Sequence, residues 1–316
     1  MIPFQRYTRT ELRELTGGTT VSPILPYQAL TPEIQRFNAN RGHLSLSGAQ
    51  SKFSMVIRNG IFVLTEAGEQ GTHILKPKLT DFVHPEESPA NEHLTMQIAA
   101  RVYGIETAAH AVCFFENGEP AYITRRYDVL PDGNKIPQED FASLAGISAD
   151  THGKDFKYNA LSYEDIGLLI RKYLPASSIE MVHFFDLILF NFLFSNGDAH
   201  LKNFSVLMTP QGDYRLAPAY DLINTRVHLP DDGIFALRKG LFADGRDFPL
   251  GISGRDFLEF ARVLGIPDPV ARRELEKYCT EFPLIRTLVE QSYLSDPLKT
   301  YYYQLYHTRL ASYLRT

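Results

Sequence analysis

Short apolar segments separated by polar turns occupy the first part of the chain. Residues 53–57 and 61–65 are rich in β-branched and aromatic side chains, and Asn59 and Gly60 lie between them. An Asn-Gly pair between two such segments favours a tight β-hairpin, because both residues tolerate positive φ. A third strand is predicted over residues 72–76.

A helix is predicted next. Ser88 suits the N-cap and Pro89 the first helical position, whereas Gly104 marks the end. Apolar residues recur with helical spacing at Leu94, Ile98 and Val102. Two more strands, residues 111–115 and 121–124, flank an Asn-Gly pair and predict a second hairpin.

The character of the chain changes near residue 130, from strand-rich to helix-rich. Residues 179–194 are apolar on nearly every helical face, which predicts a helix at the centre of a second lobe. A further hairpin is predicted over residues 204–217. The expected fold is α+β, with a β-rich first lobe at residues 1–127 and a helical second lobe at residues 128–316.

Composition narrows the function classes. The chain has 316 residues, 44% of them hydrophobic, so it can bury a substantial core. Its net charge of −5 gives no positive field for direct nucleic-acid binding. Cys113 and Cys279 are too few for a disulfide scaffold. With no signal-peptide pattern and no apolar run near membrane-spanning length, a cytoplasmic location off the membrane is expected, with signal-independent export left open.

The residues with candidate chemistry follow the central helix. Phosphoryl transfer needs a carboxylate near the attacking hydroxyl, oxygen ligands for Mg²⁺ and a cation near the phosphates. Asp198 and Asn203 are five residues apart, the spacing of base and metal-binding amide in a kinase catalytic loop, and Asp221 follows one hairpin later. Asp198 is the predicted base, with Asn203 and Asp221 as metal ligands. Lys202 is expected to neutralise the transferring group, and His200 to orient the loop through hydrogen bonds.

A simpler interpretation is that residues 196–198 form an ordinary turn within a solvated loop, since Asn, Gly and Asp are common turn residues. The complete segment 195–203, followed by a hairpin and Asp221, favours the kinase interpretation.

Two upstream residues complete a candidate ATP site. Lys76 ends a predicted strand and could contact the phosphates of ATP, and Glu92 lies early in the next helix, where it could hold that lysine. Both residues also have simpler interpretations. Strands often end in lysine, and an acidic residue in a first turn complements the helix dipole.

The small residues of segment 44–50 precede the first hairpin, where a phosphate-covering loop belongs. Backbone N–H groups at Gly48, Ala49 and Gln50 could approach ATP. Phosphate on Ser45 or Ser47 would oppose ATP binding through like charge. The segment contains neither G-x-G-x-x-G nor a Walker A sequence, so a plain surface loop is the alternative.

Several motifs in order resemble the HipA-type toxin kinases, and the resemblance extends from about residue 41 to the end of the chain. The segments that carry it are 46–52, 73–77, 91–92, 138–140, 196–203 and 216–221. The resemblance implies a bilobal protein-kinase-like fold and an ATP- and Mg²⁺-dependent serine/threonine kinase. It further implies growth arrest by phosphorylation of an aminoacyl-tRNA synthetase, held in check by an antitoxin.

The resemblance also assigns roles. It implies that Arg126 and Tyr127 lie at the adenine-facing hinge and that Ser45 and Ser47 form the autophosphorylation site. The short segment before the serine loop resembles the HipT branch, which implies a HipS-like small protein and a HipB-like DNA-binding protein as partners. Arg125 aligns where longer relatives have an acidic residue.

Two other functions stay open. A small-molecule kinase, for antibiotics or sugars, would use the same Asp–Asn spacing, although the loop serines and residues 138–140 favour a protein kinase. A regulatory scaffold without turnover is the other alternative, against which the complete set of Lys76, Asp198, Asn203 and Asp221 argues.

Overall fold

The computed structural model describes residues 7–28, 51–80, 82–249 and 251–313. Helix α1, Arg9–Thr16, begins at a capping box in which Thr8 and Glu11 exchange hydrogen bonds. It ends at Gly17, whose φ of 68° is the left-handed conformation that terminates many helices. The Arg101 guanidinium lies 2.5 Å from a Glu11 carboxylate oxygen and ties α1 to the sheet-bearing part of the chain.

The first predicted hairpin is confirmed. Strands β1, Phe53–Arg58, and β2, Ile61–Leu64, pair antiparallel, with Arg58 opposite Ile61. Asn59 and Gly60 have φ values of 52° and 72°, and asparagine and glycine are the residues that most readily adopt such positive values in a tight turn.

Three more strands complete this sheet: β3 His73–Lys76, β4 His110–Phe114 and β5 Pro120–Arg125. The five-stranded sheet is antiparallel throughout, with the order β2-β1-β3-β5-β4. Helix α2, Ser88–Arg101, packs on β4 and β5 and is buried along residues 88–99. Both the sheet and this helix match the sequence-based predictions.

The rest of the chain is mostly helical. Four helices follow the sheet: α3 Phe141–Leu144, α4 Ala149–His152, α5 Phe156–Asn159 and α6 Tyr163–Tyr173. Helix α7, Ser177–Leu193, is the predicted apolar helix, and its Phe184, Phe185 and Leu189 are fully buried. The last helices are α8 Gly254–Val263, α9 Asp268–Tyr278, α10 Pro283–Gln291 and α11 Asp296–Tyr313.

A second, three-stranded sheet carries the candidate site. Strands β7, Ser205–Met208, and β8, Tyr214–Leu216, form the predicted hairpin, and β6, Gln138–Asp140, pairs with β7. The sequence pattern beyond residue 133 predicts mainly helix, so strand β6 was not expected. The short 3₁₀ helices Leu201–Asn203 and Thr225–Val227 lie before and after the β7–β8 hairpin in sequence.

The fold is therefore mixed α/β, with a curled antiparallel sheet and a helical part. Residues 126–137 connect them, and the Ala108 N–H donates to the Ala219 carbonyl at 2.9 Å as a second link. The boundary between residues 127 and 128 stays a prediction. Within the described part of the chain, no helix has the length and apolarity needed to cross a membrane.

Candidate active site

Three of the predicted residues meet in one buried ionic cluster. Lys76 ends β3, Glu92 lies early in α2, and Asp221 follows β8. The Lys76 Nζ atom is 2.5 Å from Glu92 Oε1 and 2.5 Å from Asp221 Oδ1. The side chains of Lys76 and Glu92 are only 4% and 2% exposed, so this ion pair is shielded from water.

Burial and charge act in opposite directions in this cluster. Burial alone would lower the pKa of Lys76, but Asp221 and Glu92 outweigh it and raise that pKa. Burial would raise the pKa of Asp221, whereas Lys52 and Lys76 hold it well below its usual range. For Glu92 burial prevails over Lys76 and raises the pKa to about 6. Lys76 and Asp221 are therefore charged at neutral pH.

Lys52 is a member of the cluster that the sequence-based site prediction did not include. Its Nζ atom lies 3.1 Å from Asp221 Oδ2. Phe53 pairs with Leu75 across β1 and β3, and extending that register by one residue places Lys52 opposite Lys76. The pairing of β1 with β3, which the sequence analysis did not predict, carries this signal, since opposite residues on neighbouring strands share a face.

The predicted base lies in a turn directly after α7. Asp198 is 6% exposed, and the Tyr158 hydroxyl donates to its Oδ1 at 2.6 Å. The Asp198 carbonyl accepts hydrogen bonds from the His200 N–H and the Asn203 side-chain amide, both at 2.8 Å. Because the amide nitrogen of Asn203 donates to this carbonyl, its side-chain oxygen is the atom that could serve as a ligand.

The backbone before Asp198 is fixed by a polar network. Ser195 has a φ of 52°, and the Gly197 N–H donates to Thr225 Oγ1 at 2.9 Å. The Thr225 hydroxyl also contacts the Asp232 carboxylate. A Cβ atom on Gly197 would overlap the Asp232 carboxylate, so a larger residue here would force that side chain to shift.

His200 is 1% exposed, and within the described ranges neither of its ring nitrogens has a hydrogen-bond partner. Its ring packs edge-on against Tyr158, with 5.1 Å between centroids. Burial, reinforced by Lys157, lowers the pKa of His200 to about 3, so the ring is neutral. The His200 backbone braces the loop, whereas the predicted orienting role of its side chain stays a prediction.

The two halves of the candidate site lie within electrostatic range of each other. Asp221 and Lys52 both influence the pKa of His200, and Asp198 and Lys52 both influence the pKa of Lys157. Burial lowers the pKa of Lys157, with Asp198 opposing that effect. The charged cluster and the Asp198 loop are therefore near enough for the charges of one to act on groups of the other.

Lys202 is directed elsewhere. Its Nζ atom pairs with Asp140 Oδ2 at 2.6 Å, and its side chain is 44% exposed. Both residues line a cavity of about 570 Å³, together with Asp128, Gln138, Ser205 and Tyr220. The predicted neutralising role of Lys202 stays a prediction.

The predicted hinge residues lie close to this cavity. Arg126 forms an ion pair with Asp128 at 2.5 Å, and the Tyr127 hydroxyl accepts a hydrogen bond from Gln138 at 3.0 Å. A second cavity of about 360 Å³ is lined by Asp198 and Tyr158 and by residues of segments 229–238. The predicted serine loop, with Ser45, Ser47, Gly48, Ala49 and Gln50, lies outside the described residues.

The donor set suits a hard divalent cation. Mg²⁺ prefers oxygen ligands, and Asp221 provides an ionised carboxylate and Asn203 an amide oxygen. The Asn203 side chain contacts the backbone of Asp198, a residue that lines the second cavity. The arrangement can hold a metal, bind anionic phosphates through lysine and accept a proton.

Residues 44–284 match the family described as the HipA-like C-terminal domain. The chain belongs to this family. Y4mE of Sinorhizobium fredii, a protein named as a kinase, is 32% identical over 73% of the chain. The serine/threonine-protein kinase toxin HipA of Shewanella oneidensis is 26% identical over 76% of the chain. The chain spans about half of these relatives, 53% of Y4mE and 56% of HipA.

Solved structures agree with the fold of this HipA-like chain. HipA of Shewanella oneidensis MR-1, from the complex of its toxin–antitoxin system with HipB and operator DNA, aligns over 92% of the chain and 72% of its own length, with a TM-score of 0.69 and 21% identity. The proinflammatory kinase CtkA of Helicobacter pylori aligns over 80% of the chain and 90% of its own, with a TM-score of 0.52 and 14% identity. At these identities the likeness concerns the fold alone.

Proposed function

We propose that this HipA-like chain is an ATP- and Mg²⁺-dependent serine/threonine protein kinase that acts as the toxin of a toxin–antitoxin system. One observation carries the proposal most directly. Lys76, held by the buried Glu92, contacts the carboxylate of Asp221, the residue in position to hold a metal. The relatives named as kinases support the same activity class.

In the proposed reaction, Asp198 accepts the proton of the acceptor hydroxyl while the hydroxyl oxygen bonds to the γ-phosphorus and the bond to the ADP oxygen breaks. The Tyr158 hydroxyl donates to Oδ1 of Asp198 and so orients the carboxylate of the proposed base. Asn203 and Asp221 would hold Mg²⁺, which when bound offsets charge on the phosphates. Lys76 supplies a fixed positive charge beside them.

The two cavities suggest how the substrates divide between them. The larger cavity adjoins Arg126 and Tyr127, which suits the adenine-facing hinge proposed for these residues. The smaller cavity, which Asp198 lines, is the proposed acceptor site. In this assignment residues 1–127 form the ATP-covering lobe and residues 128–316 the lobe that binds the acceptor.

The finer parts of the proposal rest on family resemblance. They are an aminoacyl-tRNA synthetase as substrate, autophosphorylation at Ser45 or Ser47, the HipT type with HipS-like and HipB-like partners, and a cytoplasmic location. The HipA structure solved with HipB supports an antitoxin partnership in general.

The test is transfer of labelled γ-phosphate from ATP to proteins of a bacterial extract by the purified chain. We expect label in a discrete protein band with wild type and with Asp150→Asn, an exposed control in α4. Asp198→Asn should lose transfer by about 100-fold or more while still binding an ATP analogue, since only the base is removed. Label confined to small molecules, or transfer by Asp198→Asn at the wild-type rate, would contradict the proposal.

A further inference from the structure

Lys52 occupies the second oxygen of the proposed metal ligand. Asp221 Oδ1 contacts Lys76, and Oδ2 contacts Lys52 at 3.1 Å. A divalent cation bound to Asp221 must therefore share the carboxylate with two ammonium groups. Like charges at such distances repel, so one of the lysines must withdraw for the metal to bind well.

The two lysines differ in how firmly they are held. Lys76 is 4% exposed and bridges Asp221 and Glu92 at 2.5 Å each. Lys52 is 29% exposed, and within the described ranges Asp221 is the one carboxylate within 4.0 Å of its Nζ atom. Among the described residues Lys52 has fewer anionic partners than Lys76, and it has more access to water, so it is the lysine that can leave.

The backbone that carries the Asp221 carboxylate has an uncommon conformation and an anchored neighbour. Asp221 adopts a φ of 57°, an uncommon conformation for a residue other than glycine. Tyr220 just before it donates to the Lys202 carbonyl at 2.9 Å and lies 2.6 Å from Ser205 Oγ. The site therefore has a fixed anion and one exchangeable cation.

We propose that Lys52 is an exchangeable counter-ion of the active site. It neutralises Asp221 in the nucleotide-free protein, and it yields Oδ2 to the divalent cation that accompanies ATP. The released ammonium then binds the phosphates, the nearest anions of the incoming ligand. This inference rests on the proposed function, because it assigns Asp221 to a metal and the neighbouring space to ATP.

The proposal predicts opposite effects of one substitution on two ligands. Lys52→Met removes the competitor for Asp221, so Mn²⁺ alone should bind about five-fold more tightly, the factor expected for one partly exposed ion pair. The same substitution removes a phosphate contact, so ATP in the presence of EDTA should bind several-fold more weakly. A lysine that merely supports the fold would weaken both ligands.

The experiment measures Mn²⁺ binding by electron paramagnetic resonance and ATP binding by calorimetry. Lys52→Arg keeps the charge and should bind Mn²⁺ like wild type. Lys78→Met is the matched control, since Lys78 is 32% exposed and pairs with Glu119 at 2.9 Å. Lys52→Gln provides a second neutral variant, and a thermal melt verifies that each protein is folded.

Unchanged or weaker Mn²⁺ binding in folded Lys52→Met and Lys52→Gln overturns the exchange, and unchanged ATP binding overturns the phosphate contact. Asp221→Asn separates this failure from failure of the proposed function. If wild type binds Mn²⁺ and Asp221→Asn does not, the metal site stands whatever Lys52 does. If wild type binds neither Mn²⁺ nor ATP, the proposed function itself fails.

Discussion

The buried Lys76–Glu92 pair allows a stability prediction with a definite pH dependence. Lys76→Met leaves Glu92, 2% exposed, without its cation. A buried carboxylate in that position takes up a proton rather than remain charged. Keeping Glu92 protonated in the folded state then lowers the unfolding free energy by about 1.4 kcal/mol for each pH unit above the ordinary pKa of 4.5, which is about 3 kcal/mol at pH 7.

The sign follows from the direction of the pKa shift. In wild type the pKa of Glu92 is raised to about 6, so its contribution to stability falls between pH 4.5 and 6 and is constant above. In Lys76→Met that pKa is higher still, so the loss continues through neutral pH. The difference in unfolding free energy between the two proteins should therefore widen by about 2 kcal/mol from pH 6 to pH 8.

Urea unfolding at pH 6 and pH 8 measures this difference. The double variant Lys76→Met, Glu92→Gln has no carboxylate to protonate, so it should show little of the pH dependence and be more stable than Lys76→Met at pH 8. Lys78→Met breaks a partly exposed ion pair and should change the unfolding free energy by less than about 1 kcal/mol at either pH. A difference that stays constant with pH, or no recovery in the double variant, would refute the assignment of an ionised, lysine-dependent Glu92.

Two further predictions concern the Asp198 loop. Tyr158→Phe removes the hydrogen bond to Asp198 Oδ1, so kcat should fall about ten-fold while KM for ATP stays unchanged. Steady-state kinetics measure both constants. A higher kcat would show that the hydroxyl instead obstructs the acceptor. Gly197→Ala places a methyl group against the Asp232 carboxylate and should cost about 1–3 kcal/mol in denaturant unfolding, with partial recovery when Asp232→Ala is added. Absence of recovery would mean that the strain lies in the backbone.

Features with local causes could be predicted from the sequence. The first hairpin depends on Asn59 and Gly60, whose tolerance of positive φ is a property of the residues themselves. Helix α7 could be predicted because apolar residues on every face have no stable place except the core. Strand β6 could not, since Gln138–Asp140 is short and polar and becomes a strand only by pairing with β7.

The candidate site divides in the same way. Asp198 and Asn203 could be placed together because five residues in one loop restrict their separation, and the Asn203 side chain does bond the Asp198 backbone. Tyr158 is 40 residues from Asp198, on a four-residue helix whose sequence carries no catalytic pattern, so nothing local indicated its contact with the base.

Lys52 shows what sequence order leaves undetermined in a charged site. Strand register indicates that Lys52 and Lys76 share a face, but not which carboxylate they share or how deeply each is buried. In the proposed exchange these two properties decide which lysine yields, because Lys76 is 4% exposed with two anionic partners, whereas Lys52 is 29% exposed with one anionic partner among the described residues. Residue identity therefore indicates the candidate chemistry of the site, and the tertiary packing determines how deeply each of its charges is buried and with which partner.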